Sequence, residues 1–273
     1  MRTGGEDPRE HSSTVISSID NVDIAYEMCG SGETAIVFIH GWCSDRWFWH
    51  EQLQHLSDDY ILVAIDLAGH GESGRNREAW SLNSFADDVL AVVDALNLDR
   101  FVTVGHSMGG LVALKVARCI PERVIGLIGI DSIGNVDSEK ETGSMDRVIE
   151  AFSADFVGTM TAFLPRMFAP HSSPDLIQSV VDRSVAADPM MALAIMQEAQ
   201  TIEERNLLSS VDIPVRCIYA SMEDIDKEQE LINNNADYAD FDAVYIENVG
   251  HFLHLENPTK VNRQIRKFML SFL

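Results

Sequence analysis

The chain has 273 residues, and 46% of them are hydrophobic, so it can bury a sizeable core in one large domain or in a core domain with an insertion. Its 43 acidic residues outnumber 20 Lys and Arg residues, and the formal net charge of −23 argues against nucleic acid or anionic membranes as partners. No apolar stretch is long enough to span a bilayer and the polar start lacks a signal-peptide core, so we expect a soluble, cytoplasmic protein.

A polar tail over residues 1–13 precedes two alternating segments, STVISSI and VDIAYEMCG, which predict an antiparallel hairpin. Continuous apolar runs follow, and such runs are typical of strands buried on both faces of a parallel sheet. They lie at 34–40, 60–66, 100–106 and 123–131, with helical patterns between them at 46–56, 84–97 and 108–119. This alternation predicts βαβ units with helices on both faces of the sheet.

The alternation stops at 132–210, which contains no convincing strand and is rich in Met, Phe, Ala and Leu at helical spacing. It resumes with runs at 213–220 and 241–247 and a final amphipathic helix. We therefore predict a core formed by residues 14–131 and 211–273, with residues 132–210 inserted as a helical cap.

A Gly-x-Ser-x-Gly motif, Gly105 to Gly109, lies between a β-branched strand and a helix. This is the setting of a nucleophile elbow, in which small residues flank a serine held on a tight turn. Ser107 would project from the carboxyl edge of the sheet, where ligands bind in such folds. The helix that starts at Met108 would favour negative charge developing beside the serine.

A serine hydroxyl needs a base, and the segment NVGHFLHLENP offers two histidines. His251 follows the last strand at the same sheet edge as Ser107, whereas His254 lies one helical turn later and is better suited to packing. The imidazole also needs an acid. Candidates after the penultimate strand are Glu223, Asp224 and Asp226, and Asp131 is a rival because it too ends a parallel strand.

An oxyanion requires two N–H donors. The backbone of Met108, directly after the serine, is one candidate. The second is the amide of Trp42 in FIHGWCSD, because Gly41 lets the chain bend back over the site after its strand. The cysteines form no zinc-binding spacing, and the serine chemistry expected here requires neither a metal nor an organic cofactor.

These motifs together resemble the α/β-hydrolase family: HGW at 40–42, DLAGHGES at 66–73, GHSMGG at 105–110 and GHFLHLENP at 250–258 occur in family order. The resemblance implies a mostly parallel eight-stranded sheet, a helical cap, Ser107 as nucleophile, His251 as base, and the Met108 and Trp42 amides as oxyanion donors. It also implies that DLAGHGES is a structural turn.

The acid departs from the family pattern. Members usually have Gly-x-x-Asp after the penultimate strand, and the aligned residues here run from Ala220 to Glu223. Glu223 stands 28 residues before His251, a separation similar to that in the family. We therefore rank Glu223 first, Asp224 second and Asp131 third.

Serine at the elbow argues against dehalogenase and epoxide hydrolase chemistry, which uses an aspartate there in this family. We expect hydrolysis of a small apolar or aromatic carboxylic ester through an acyl-serine intermediate. Three alternatives stay open: a carbon–carbon bond hydrolase, with Arg147, Arg166 or Arg183 meeting a substrate carboxylate; a cofactor-free haloperoxidase or perhydrolase; and a ligand receptor on the hydrolase scaffold.

Apolar residues of the insertion, together with one cysteine beside the Trp42 turn, are candidates to line the substrate pocket. They are Cys43, Phe152, Phe156, Met160, Phe163, Met167, Met190 and Met191. The expected partner is a small molecule, and the sequence leaves the oligomeric state open.

Overall fold

The computed structural model describes residues 12–138 and 144–272, and it contains one eight-stranded sheet. The strands are β1 (Ser12–Ser17), β2 (Asp23–Gly30), β3 (Ala35–Ile39), β4 (Ile61–Ile65), β5 (Phe101–His106), β6 (Val124–Ile130), β7 (Val215–Ala220) and β8 (Phe241–Ile246). Their order is β1-β2-β4-β3-β5-β6-β7-β8. β2 runs antiparallel to β1 and β4, and the other pairs are parallel. The predicted mostly parallel eight-stranded fold is confirmed.

Eleven α-helices lie in the described residues. They are α1 (His50–Leu56), α2 (Leu82–Ala95), α3 (Met108–Cys119), α4 (Ser144–Ala154), α5 (Phe156–Phe163), α6 (Pro174–Ser184), α7 (Pro189–Ala199), α8 (Glu204–Leu208), α9 (Ile225–Ala236), α10 (Leu253–Glu256) and α11 (Pro258–Phe272). Two short 3-10 helices cover Arg46–Trp49 and Leu164–Met167.

Two apolar cores cover the two faces of the sheet. Successive residues of a strand point to opposite faces, so in β3 Val37 packs with α2 and α3, whereas Ile36 and Phe38 pack with α1 and α11. Strands β3 and β5 are buried along their whole length, as the continuous apolar runs predicted. This packing fixes the carboxyl ends of the parallel strands at one edge of the sheet.

The chain between β6 and β7 is helical. It contains α4 to α8, and no strand occurs there among residues 131–138 and 144–214. The division into a core and a cap over 132–210 stays a prediction. The predicted tail 1–13 overlaps β1, which begins at Ser12, and residues 1–11 lie outside the described residues.

The DLAGHGES segment forms a turn at the end of β4, built around Asp66. The Asp66 carboxylate accepts hydrogen bonds from the amides of Arg46 at 2.6 Å and Glu72 at 2.9 Å, and it pairs with the Arg46 guanidinium. The Asp66 carbonyl accepts from the Ser73 hydroxyl at 2.6 Å. These contacts tie the turn to the core. Across the described ranges, no helix combines the length and apolar character needed to cross a membrane.

Candidate active site

Ser107 occupies a sharp turn between β5 and α3. Its φ of 52° and ψ of −121° place it in a conformation that costs a residue with a side chain about 1–3 kcal/mol. Gly109 makes the turn possible, because a Cβ there would lie 2.2 Å from the carbonyl oxygen of Ile39. A Cβ on Gly105 would lie 2.4 Å from the carbonyl carbon of Gly109. The turn holds Ser107 at the carboxyl end of β5, where it lines a cavity.

His251 lines the same cavity and is paired with a carboxylate. Its Nδ1 lies 2.6 Å from Oδ2 of Asp131, and the two side chains are 20% and 23% exposed. An ionised carboxylate only accepts, so the Nδ1 proton is donated to Asp131 and Nε2 of a neutral ring is left as an acceptor. This is the tautomer that a general base requires.

Several contacts hold this pair in place. Asp131 follows β6 with φ of 44°, and its Oδ1 accepts from the Ala220 amide at 3.1 Å. The amide of His251 donates to the Met167 carbonyl at 2.7 Å, and its carbonyl accepts from His106 Nε2 at 2.9 Å. The imidazole is therefore fixed by its ring and by its backbone, through contacts with the core and the helical segment.

The acid ranked third from the sequence is the one that meets His251, and the order of the candidates was wrong. Asp131 directly follows β6, which pairs with β5, so its carboxylate is close to the end of the serine strand. Glu223 is exposed on the loop after β7, with φ of 57°, and Asp224 caps α9 by accepting from the Lys227 amide at 3.3 Å.

The loop after β7 is held in this position by another carboxylate. Glu228 accepts from the Ser221 hydroxyl at 2.7 Å and from the Met222 amide at 2.8 Å. The loop therefore closes on the first turn of α9 instead of extending toward His251. The third acid considered after β7, Asp226, is exposed within that first turn.

Both candidate oxyanion donors line the cavity beside Ser107. Met108 is the first residue of α3, so its amide has no acceptor within the helix. Trp42 follows β3, which pairs with β5, and its indole Nε1 donates to the Ala192 carbonyl of α7 at 2.9 Å. That bond fixes the position of the Trp42 turn relative to the helical segment.

The cavity has a volume of about 680 Å³, and its lining is mostly apolar. Of the pocket residues predicted from the sequence, Phe152, Phe163 and Met167 line it. Trp42 packs edge-on against Phe152, with ring centroids 5.3 Å apart, and connects the oxyanion turn to α4. The apolar lining therefore comes from both the helical segment and the loops of the sheet.

The other predicted pocket residues do not line the cavity. Cys43 is buried beside it, and its amide donates to His70 Nε2 at 3.2 Å. Met160 is fully buried in the core, and Phe156 packs on the ring of Phe152 behind the cavity wall. The remaining two lie on α7: Met190 is exposed, and Met191 is buried in the core. Helical spacing alone does not distinguish side chains that face the cavity from those that pack behind it.

The three arginines that could have met a substrate carboxylate are also outside the cavity. Arg147 and Arg166 are exposed, and Arg183 pairs with Asp45 at 2.9 Å while stacking over the ring of Trp47. Among the described residues, no Lys or Arg lines the cavity, and no group of three or more His, Cys, Asp or Glu side chains is arranged to hold a metal ion.

Sequence reasoning missed polar residues of the cavity that follow Asp131, lie on the helical segment or belong to β7. They include Ser132, Asn135, Glu204 and Tyr219. Ser132 could have been found from the sequence, because it directly follows an acid at a strand end. Its hydroxyl donates to the Ser107 carbonyl at 2.5 Å. Glu204 carried no such signal, because its helix is short and polar.

Beneath the site lie two fully buried histidines, His106 and His254, with ring centroids 4.5 Å apart. Burial, and then the nearby His251, lower the pKa of His254 from 6.5 to about 3. Burial, and then the adjacent His254, also lower the pKa of His106 well below its ordinary value. Both rings are therefore neutral at pH 7, in line with the packing role expected for His254.

Comparison with known proteins agrees with this architecture. A family model described as the α/β hydrolase fold matches residues 34–258, which is well over half of the chain. A pimeloyl-[acyl-carrier protein] methyl ester esterase of Yersinia enterocolitica is 30% identical over 193 residues, which cover 69% of each chain. The solved structure of Est816, an N-acyl homoserine lactone degrading enzyme, is 26% identical with a TM-score of 0.77, and the match covers 95% of this chain and 100% of that one.

The chain is also similar to part of a longer protein. It is 26% identical over 270 residues to the dihydrolipoyllysine-residue acetyltransferase component of the acetoin cleaving system of Pseudomonas putida. The match covers 91% of this chain but 65% of that protein, and it covers 33% of the counterpart from Cupriavidus necator. On the family match and the eight-stranded fold, the chain belongs to the α/β hydrolase fold family.

Proposed function

We propose that this protein is a serine hydrolase that cleaves carboxylic esters through an acyl intermediate on Ser107. The observation that carries the proposal is the 2.6 Å contact between His251 Nδ1 and Asp131 Oδ2, at the edge of a cavity that Ser107 also lines. The methyl ester esterase and the lactone-degrading enzyme among the similar proteins support it, because a lactone is a cyclic ester.

In the first half of the reaction, Nε2 of His251 takes the Ser107 proton as Oγ attacks the ester carbonyl. The carboxylate of Asp131 stabilises the imidazolium that forms. The amides of Met108 and Trp42 bind the oxyanion of the tetrahedral intermediate. The intermediate then collapses, and the alcohol leaves with the proton from His251, so Ser107 is acylated.

In the second half, water loses a proton to His251 and attacks the acyl-enzyme carbonyl. Collapse of the second tetrahedral intermediate releases the carboxylic acid and returns the proton to Ser107. The strained turn at Ser107 and the fixed imidazole hold the reacting groups at the cavity, which lowers the entropic cost of each attack. No step needs a metal or an organic cofactor.

The cavity favours ester hydrolysis over cleavage of a carbon–carbon bond in an acidic diketone. Such a substrate carries a carboxylate that needs a cationic partner. Neither Lys nor Arg contributes to the cavity within residues 12–138 and 144–272. Of the three candidate arginines, Arg147 and Arg166 are exposed and Arg183 is paired with Asp45. An uncharged ester makes no such demand.

Steady-state hydrolysis of p-nitrophenyl esters from acetate to octanoate tests the proposal. We expect many turnovers per active site, and we expect Ser107→Ala to lower kcat on the order of 10⁵-fold or more with unchanged circular dichroism. A single turnover followed by arrest would indicate a receptor instead. Activity that requires hydrogen peroxide in place of water would indicate a perhydrolase.

A further inference from the structure

We infer that Glu204 makes the site prefer uncharged esters and disfavours substrates that carry a carboxylate. The inference rests on the proposed ester hydrolysis. The cavity is lined by two carboxylates, Asp131 and Glu204, and by no Lys or Arg among the described residues. The rest of the lining is neutral or histidine.

The two carboxylates differ in how their charge is used. Asp131 contacts the His251 imidazole at 2.6 Å and the Ala220 amide at 3.1 Å, so its charge supports the base. Glu204 is half-buried at the start of α8, and its Oε2 accepts from the Gly134 amide at 3.1 Å. That one neutral donor leaves the negative charge of Glu204 facing the cavity without a cationic partner in the described part of the chain.

Because of where Glu204 lies, its charge affects which substrates bind and does not take part in the chemical steps. Glu204 belongs to the helical segment, and its partner Gly134 lies three residues after Asp131. An apolar cavity screens charge poorly, so a fixed carboxylate there repels an anionic acyl or alcohol group strongly. The net charge of −23 acts in the same direction during approach of the substrate.

The chain offers an isosteric test and a matched control. Glu204→Gln removes the charge but keeps a side-chain oxygen that can accept from the Gly134 amide. Glu203→Gln changes the preceding residue, which is exposed, makes no side-chain capping bond and does not line the cavity. The control therefore removes the same charge from the same turn without altering the cavity.

The substrates are mono-p-nitrophenyl glutarate, whose acyl chain ends in a carboxylate, and its methyl ester, which has the same chain without the charge. The readout is the ratio of kcat/KM for the neutral ester to that for the anionic ester. We expect a wild-type ratio on the order of 10² at low salt, decreasing as salt is added. Glu204→Gln is expected to lower the ratio about tenfold, mainly by raising kcat/KM for the anionic ester, whereas Glu203→Gln leaves the ratio within about twofold. An unchanged ratio in Glu204→Gln would overturn the inference.

A binding experiment tests the same inference without turnover. Fluorescence titration compares neutral N-phenylnaphthylamine with anionic anilinonaphthalene sulfonate, each displaced by a neutral ester to identify the fraction bound in the cavity. We expect Glu204→Gln to strengthen binding of the sulfonate about tenfold and to leave the neutral probe within about twofold. If no ester is hydrolysed, the proposed function is rejected. The change in sulfonate affinity between wild type and Glu204→Gln then still tests whether Glu204 repels anions from the cavity. Equal sulfonate affinity in wild type and Glu204→Gln would reject it.

Discussion

The cavity edge of the sheet and the layer directly beneath it contain the same residue types in different environments. At the edge, His251 is partly exposed and contacts Asp131 at 2.6 Å. In the layer beneath, the rings of His106 and His254 lie 4.5 Å apart and are fully buried, without a carboxylate partner among the described residues. The difference teaches that pairing and exposure, more than residue type or proximity in sequence, decide which imidazole is fit to move a proton.

The two acid loops show the same contrast. Asp131, after β6, points its carboxylate at the imidazole, whereas Glu223, after β7, is exposed and its amide contacts the Ser221 hydroxyl at 3.2 Å. Both residues have positive φ and both follow a parallel strand. What separates them is the strand they follow, since β6 is adjacent to the serine strand and β7 is one strand farther away.

The largest expected effect comes from breaking the pair at the cavity edge. Asp131→Asn removes the charge that stabilises the imidazolium and no longer selects the tautomer with its proton on Nδ1. We expect kcat for p-nitrophenyl butyrate to fall on the order of 10³–10⁴-fold at pH 8 with the circular dichroism spectrum unchanged. A decrease of less than tenfold in a folded variant would mean that another group supplies the charge.

A smaller effect, on stability, is expected from the buried layer. In the unfolded chain His254 takes up a proton near its ordinary pKa of 6.5. In the folded protein the ring stays neutral until the pH approaches its lowered pKa of about 3. Between these values the unfolded state binds more protons, so the free energy of unfolding decreases as the pH falls. Replacing this residue, as in His254→Phe, should reduce that slope by roughly 1 kcal/mol per pH unit.

Urea unfolding from pH 4 to pH 8 measures this slope. Buried carboxylates that also titrate, such as Asp88, whose pKa burial raises to about 6, are present in both proteins, so the difference in slope reports His254 together with the His106 ring that it contacts. At pH 8 His254 is neutral in both the folded and unfolded states, and the comparison there gives the cost of the substitution itself. Parallel curves for wild type and His254→Phe would show that the folded protein protonates this ring as readily as the unfolded chain does, and would contradict the lowered pKa.

The smallest effect is expected at the acid that the family pattern favoured. Glu223→Gln should leave kcat within about twofold of wild type, because the side chain is exposed and the carboxylate in contact with His251 belongs to Asp131. When this variant is assayed under the same conditions as Asp131→Asn, the ratio of the two losses in kcat shows how much more the carboxylate after β6 contributes than the one after β7. A loss of 100-fold or more at Glu223 would contradict the assignment of the acid.

The order of elements could be read from the sequence because continuous apolar runs and glycine-flanked turns are local properties. The turn at Ser107, the position of His251 after β8 and the helical character of the segment before β7 all follow from such signals. The acid could not be chosen locally. Both Asp131 and Glu223 follow strands that end at one edge of the sheet, and the choice depends on strand order and on the loop that Glu228 holds closed.

Local sequence patterns also could not predict which side chains line the cavity. A helix shows one face to the cavity and another to its neighbours, and the difference between Phe163 and Met160 on α5 depends on how that helix packs. Glu204 was missed for a related reason, since a glutamate in a short polar helix is ordinarily a solvated charge. Only the packing of α8 against the loop after β6 brings it to the cavity.

Labelling with a fluorophosphonate, followed by mass mapping of the adduct, is the sharpest test of whether Ser107 is an activated nucleophile. We expect one adduct, on Ser107, that forms quickly in the wild type and far more slowly in His251→Ala. No adduct on folded protein, or an adduct on another residue with Ser107 unmodified, would contradict it.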